Sequence, residues 1–198
     1  MKIITANSFY KAWLNIIKKN IVDVYSCWNS RKDYTNLIIK KDDSLITQVS
    51  KELDLICYNA DFYSIDSVLY RKEDWLSGYG GVFLRHLVVA FEHENDFFSG
   101  LFQETTHLLI TQADLKVLVS YPPQELDEFT NKHIKDELNN LYQIILGSPY
   151  ANEISEKENF LLILGKDDIT DLKTDNWQED GYWKGLVFKL DGWKALTI

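Results

Sequence analysis

Stretches with an apolar residue every third or fourth position alternate along this chain with short runs that are apolar almost throughout. Phe9, Trp13, Ile16, Ile17 and Ile21 recur at helical spacing, with Lys11, Lys18 and Lys19 on the other side. That pattern predicts an amphipathic helix over residues 7–25, capped by Asn7 or Ser8. Residues 26–43 are polar and mixed, and their apolar run Leu37-Ile38-Ile39 reads as a strand or a helical turn. Leu45, Ile46, Val49, Leu53 and Ile56 predict a second helix over 44–56, capped by Asp43 or Ser44 and carrying Glu52. The aromatic and β-branched stretch 61–70 predicts a strand with Asp66 in its middle. Residues 71–81, with Gly78, Gly80 and Gly81, read as a long hairpin connection into a strand over 82–94 that Arg85-His86 can break. Helical spacing returns over 97–112 through Phe98, Leu101, Phe102, Thr105, Leu108, Leu109 and Gln112, capped by Asp96 or Ser99. A buried strand over 114–121 is stopped by Pro122-Pro123. A long amphipathic helix over 124–146 ends at Gly147 and Pro149, a buried strand follows at 160–165, and residues 182–197 add one or two more.

This order predicts a single α/β domain over residues 1–198. A hairpin followed by a helical crossover to a buried strand implies a central mixed sheet with helices on both faces. The length, 198 residues, is enough for a full core, and the aromatic share of 14% argues against disorder. No internal repeat or low-complexity segment is visible. Cys27 and Cys57 have no metal-binding spacing, the N-terminal apolar residues are interrupted by lysines, and no stretch approaches a membrane span. A cytoplasmic protein with reduced thiols is the expectation, with no membrane partner.

Charge changes the picture for partners. The net charge is -9, and residues 100–198 carry 9 basic and 17 acidic side chains against 12 and 13 in residues 1–99. Nucleic acid is therefore not attracted over the whole surface, and any DNA-binding face must be local. Lys11, Lys18, Lys19, Arg31, Lys32, Lys40, Lys41, Arg71 and Lys72 are the candidates. Trp183 and Trp193 offer either a homodimer interface or closure of the core.

Candidate chemistry concentrates at Val88-Val89-Ala90-Phe91-Glu92-His93-Glu94-Asn95, an apolar run that ends in Glu-x-Glu. Alternation puts Glu92 and Glu94 on one strand face and His93 on the other. Two adjacent carboxylates repel unless a cation lies between them, and hard divalent cations take oxygen ligands. Asp66, on the preceding hairpin strand, is within reach of the same point, because opposed side chains on paired strands lie about 5 Å apart. His93 reads as a packed or surface residue. His86, His107 and His133 form no metal spacing with it, which sets zinc aside.

These residues resemble those of the restriction-endonuclease-like nucleases, the PD-(D/E)xK superfamily. Its core runs helix, strand, strand, strand, helix, strand, with an Asp on one strand and Glu-x-Lys at the end of the next. Here the similar residues are Asp66, then Glu92-His93-Glu94, then the helix over 97–112 and the strand that follows, a likeness covering about residues 44–121. On this resemblance the flanking segments are an N-terminal helical extension and added C-terminal strands. The resemblance implies a Mg2+- or Mn2+-dependent endonuclease that hydrolyses phosphodiester bonds. Asp66, Glu92 and Glu94 would be catalytic, Asp66 and Glu92 metal ligands, and Glu52 an additional ligand.

The chain departs from the superfamily pattern in lacking a Pro before Asp66 and in carrying Glu94 where Lys is usual. Lys116 is the nearest downstream cation, and Gln103 lies on the following helix. Two other readings compete with the nuclease. One is a catalytically inactive member of the same fold serving as a binding module. The other is an acidic protein that inhibits a basic partner.

Overall fold

A computed structural model of the chain describes residues 3–28, 30–76, 80–123, 127–165 and 182–197. Its centre is a seven-stranded mixed sheet whose strands lie side by side in chain order. Strands β1 (Ile56–Tyr58), β2 (Ser67–Tyr70) and β3 (Val89–Glu94) form an antiparallel meander. Strands β3, β4 (Leu115–Ser120) and β5 (Phe160–Gly165) run parallel. Strands β6 (Trp183–Lys189) and β7 (Gly192–Ala195) close the sheet antiparallel. The parallel steps are bridged by α5 (Leu101–Ile110) and by the pair α6 (Glu128–Leu146) and α7 (Ala151–Lys157). The N-terminal helices are α1 (Ala6–Lys19), α2 (Ile21–Cys27), α3 (Arg31–Thr35) and α4 (Leu45–Glu52).

Helices cover both faces, and the period of two along each strand sorts side chains between them. Leu69, Val89, Phe91, Val117, Val119 and Ile163 meet the N-terminal helices, where Phe9, Trp13, Ile46 and Val49 pack. Val68, Ala90, Leu118, Leu162 and Leu164 meet α5, α6 and α7 through Leu101, Leu108, Leu141 and Ile145. Trp13, Phe9 and Phe91 are fully buried, each stabilising the fold by roughly 1.5–3 kcal/mol. Both layers share one sheet, so the described chain is a single α/β domain.

Several element boundaries differ from the sequence expectation. The first helix begins at Ala6 with a capping box between Thr5 and Ser8, and it breaks at Asn20, which caps the end of α1. The Leu37–Ile39 run is part of a π-helical turn, Asn36–Lys40, rather than a strand. The helix carrying Glu52 stops there because Asp54 turns to φ 60, and Ile56 opens β1 instead of ending the helix. Residues 61–66 are not strand. Tyr63 and Ser64 take positive φ and fold the chain into a tight turn closed by Phe62 and Ile65. Asp66 is therefore the residue just before β2, not its middle. Strand β3 begins only at Val89, and Trp75 pairs with Leu84 in the connection before it. The helix expected from 97 starts at Leu101, after a turn. Gly78 and residues 124–126 lie outside the described residues, and the described part of α6 is capped by Asp127.

Candidate metal centre

The acids meet where the meander joins the parallel strands. The last β2–β3 pair is Ser67 with Phe91, which brings Asp66 opposite Glu92. The Asp66 backbone N–H donates to Glu92 Oε2 at 3.1 Å, and the His93 backbone N–H donates to Asp66 Oδ2 at 2.9 Å. Each strand end is thus pinned by the other's chemistry. Glu94 follows on the same face, its Oε1 accepting the Asp96 backbone N–H at 2.6 Å. A Cβ on Gly100, the residue before α5, would collide with the Glu94 carboxylate, so this glycine makes room for it.

Helix α5 lies over this face and contributes two further donors. Ligand atoms of Glu92, Glu104 and His107 all lie within 4.8 Å of one another. His107 Nδ1 is 3.3 Å from Glu104 Oε2 and 3.7 Å from Glu92 Oε1. Glu92 is 1% exposed, and its Oε1 is buried with no hydrogen-bond partner. The hydroxyl of Ser120, which pairs with Glu94 across β4, is likewise buried without a partner.

Electrostatics follow from this crowding. Burial, then repulsion by Asp66 and Glu104, pushes the Glu92 carboxyl far above the usual carboxylate range. Burial pushes Asp66 up to about 6, with Glu104 and Glu94 adding repulsion, against the His93 N–H and the charge of Lys40. Burial and the neighbouring acids Glu104 and Asp96 also raise Glu94. Lys40, on the π-helical turn, is thus a cation whose field reaches the cluster.

Asp66, Glu92 and Glu94 come together, but Glu52 does not join them. It sits on α4, which packs the opposite face of the sheet, and is held by Lys19 at 3.1 Å and Asn15 at 2.9 Å. Lys116 shares the acids' face but lies at the other end of the sheet, paired with Ala90 and in the fields of Glu153, Lys157 and Asp114. Gln103 is exposed on α5, and its neighbour Glu104 turns inward instead. His93 is buried on the far face, with Nε2 3.0 Å from the Tyr121 hydroxyl. Trp183 packs on Trp13 and Tyr121, and Trp193 on Phe160 and Phe188, so both close the core.

Glu104 and His107 were missed by pattern reading, which tested His107 only against other histidines. Their signal is Glu-x-x-His on the helix directly after the Glu-x-Glu strand, since residues three apart on a helix face the same way. A scan against protein-family models and searches of curated proteins and of solved structures found no match to this chain. No helix among the described residues is long and apolar enough to cross a membrane.

Proposed function

We propose that this cluster holds a divalent cation and that the chain is a metal-dependent phosphodiester hydrolase acting on nucleic acid. The observation that carries the reading is Glu92. Its carboxylate is 1% exposed, and one oxygen faces Glu104 and His107 with no hydrogen-bond partner. A buried carboxylate without compensation costs several kcal/mol, and surrounding it with further acids raises that cost. A cation removes it. The donors fit: carboxylates suit Mg2+ and Mn2+, and the one imidazole shifts preference from Mg2+ toward Mn2+.

Glu92, Glu104 and His107 would be the ligands, with Asp66 beside them. A bound divalent cation would neutralise charge on a phosphoryl oxygen and lower the pKa of an adjacent water. Glu94 supplies the base. One of its oxygens is tied to the Asp96 N–H, and burial among other acids raises its proton affinity, which suits it to accept a proton. Water oxygen bonds to phosphorus, the bond to the leaving oxygen breaks, the water's proton passes to Glu94, and solvent protonates the leaving oxygen. Arg31, Lys32, Lys40 and Lys41 are the cations of α3 and the π-helical turn, with Asp33, Asp42 and Asp43 among and after them in the chain.

The order helix, strand, strand, strand, helix, strand from α4 to β4 supports a restriction-endonuclease-like core. So does the position of Asp66 ahead of β2, with Glu92 and Glu94 ending β3. The placement of Lys116 at the far end of the sheet favours a second reading, an inactive member of the same fold that binds without cutting.

Calorimetry with Mn2+ and Mg2+ on the native chain and on Glu104→Ala, with and without nucleic acid, tests the site. Cleavage assays on single- and double-stranded DNA and RNA test the activity. Binding lost in Glu104→Ala together with Mn2+-dependent cleavage supports the hydrolase. Metal binding without cleavage on any substrate selects the inactive reading. No metal binding even with nucleic acid present overturns the site.

A further inference from the structure

Beyond the carboxyl end of β3, on the face covered by the N-terminal helices and so across the sheet from the acids, lies a cavity of about 180 Å³ whose walls include Trp28, Arg31, Tyr34, Asn95, Phe98 and Tyr121. It opens at the carboxyl ends of β3 and β4, where ligands of sheets with parallel strands commonly bind. One segment builds both places. Glu94 ends β3 in the acid cluster, and Asn95 through Phe98 continue directly into the cavity wall. Asn95 is fixed by donating to Thr35 Oγ1 at 2.7 Å.

We infer that this cavity seats one unpaired nucleobase of a nucleic-acid strand, with Arg31 placed for the adjoining phosphate. The inference rests on the hydrolase reading for the choice of nucleic acid as ligand, and on the cavity itself for the base.

The walls have the chemistry of a base pocket. Trp28, Tyr34 and Tyr121 pack edge to face, with ring centroids 4.7, 5.3 and 5.4 Å apart. That mutual packing fixes the ring planes before a ligand arrives. The Tyr121 hydroxyl is held by His93, so the back wall is rigid. Phe98 stands 48% exposed at the rim, an apolar ring left in water beside a hollow that Arg31, Asn95 and Asp96 also line. Bases stack on such rings whatever their identity, and also on guanidinium planes.

Size decides between paired and unpaired substrate. The cavity is smaller than the roughly 300–1,000 Å³ of sites for drug-sized ligands. It admits one planar ring system and not a base pair. Bases in an intact duplex face inward and cannot enter without being flipped out. Arg31 is exposed and, among the described residues, makes no ion pair.

The test is fluorescence titration of the native chain, Phe98→Ala and Arg31→Ala. The probes are a short oligothymidylate, its blunt duplex with oligoadenylate, and inorganic phosphate, each in EDTA and in Mn2+. Thermal unfolding shows that the variants fold, which the exposure of both side chains favours. The expected result is tighter binding of the single strand than of the duplex. Phe98→Ala should weaken single-strand binding roughly tenfold or more, with a comparable loss in Arg31→Ala. Equal affinity of both variants and the native chain overturns the inference, even if Mn2+-dependent cleavage is found. So does duplex binding as tight as single-strand binding, or inorganic phosphate competing as well as the strand. Phe98-dependent single-strand binding without any cleavage upholds the base pocket and removes the hydrolase reading instead. No strand binding in either condition overturns the inference and leaves the hydrolase reading to the cleavage assays.

Discussion

Asp66 and Glu92 hold each other across the end of the antiparallel pair: the Asp66 N–H donates to the Glu92 carboxylate, and the Asp66 carboxylate accepts from the residue after Glu92. Two acids are thereby locked side by side by backbone hydrogen bonds that do not depend on a ligand. Their mutual repulsion is built into the folded state.

That arrangement has a pH signature. Burial pushes Asp66 up to about 6 in the folded chain, and burial and neighbouring acids push Glu92 further in the same direction. Both are acids with raised folded values, so the folded state keeps protons that the unfolded chain has released. Metal-free stability therefore falls as pH rises from about 4 through 6 and beyond. Glu92→Gln keeps an oxygen for the Asp66 N–H and removes the proton that Glu92 must take up on folding at high pH. It should stabilise the metal-free protein at pH 8 by about 1–3 kcal/mol, read as a Tm several degrees higher. The gain should vanish at pH 4, where the native carboxyl is already protonated.

Metal should reverse the same penalty. Mn2+ at about a hundredfold over its Kd should stabilise the native chain by about 2.7 kcal/mol at pH 8. The shift should shrink toward pH 5, because protons compete for the carboxylates. Glu104→Ala and His107→Ala should each reduce it in differential scanning calorimetry. Glu52→Ala should leave it unchanged, since that side chain pairs with Lys19 on the other face of the sheet.

Gly100→Ala probes Glu94 without touching a ligand. The added methyl meets the Glu94 side chain rather than backbone, so the carboxylate must swing away and give up its Asp96 N–H. Expected are a Tm within a few degrees of native and a clear fall in catalytic rate at unchanged Mn2+ affinity. A rate equal to the native one would remove Glu94 from the chemistry.

His93 sets the acid limit. Burial lowers its pKa to about 3, so the folded ring stays neutral while the unfolded one takes a proton below about 6.5. The unfolded state then binds more protons, and stability is lost as pH falls from 6.5 toward 3. The carboxylates and His93 pull in opposite directions, which predicts greatest metal-free stability at about pH 4–6.5. His93→Phe should shallow the acid limb in urea unfolding between pH 6 and 4, despite losing the Tyr121 contact.

The alternation of apolar and polar residues by itself determined the α/β class, the buried strands and the sharing of one face by Glu92 and Glu94, because strand and helix periods are local properties of the chain. The sequence also put His93 on the far side, where it meets Tyr121. It could not place Glu52, whose helical spacing is equally compatible with either face of the sheet. Only the packing of α4 against α1 sent it away. Nor could spacing show that α5 would turn Glu104 and His107, rather than Gln103, onto Glu92, since that depends on how far the helix is rotated after the turn at 97–100. The cavity was invisible in the same way. Trp28, Phe98 and Tyr121 lie far apart in the chain, and they meet only because α3 and the segment after Glu94 converge at the carboxyl ends of β3 and β4.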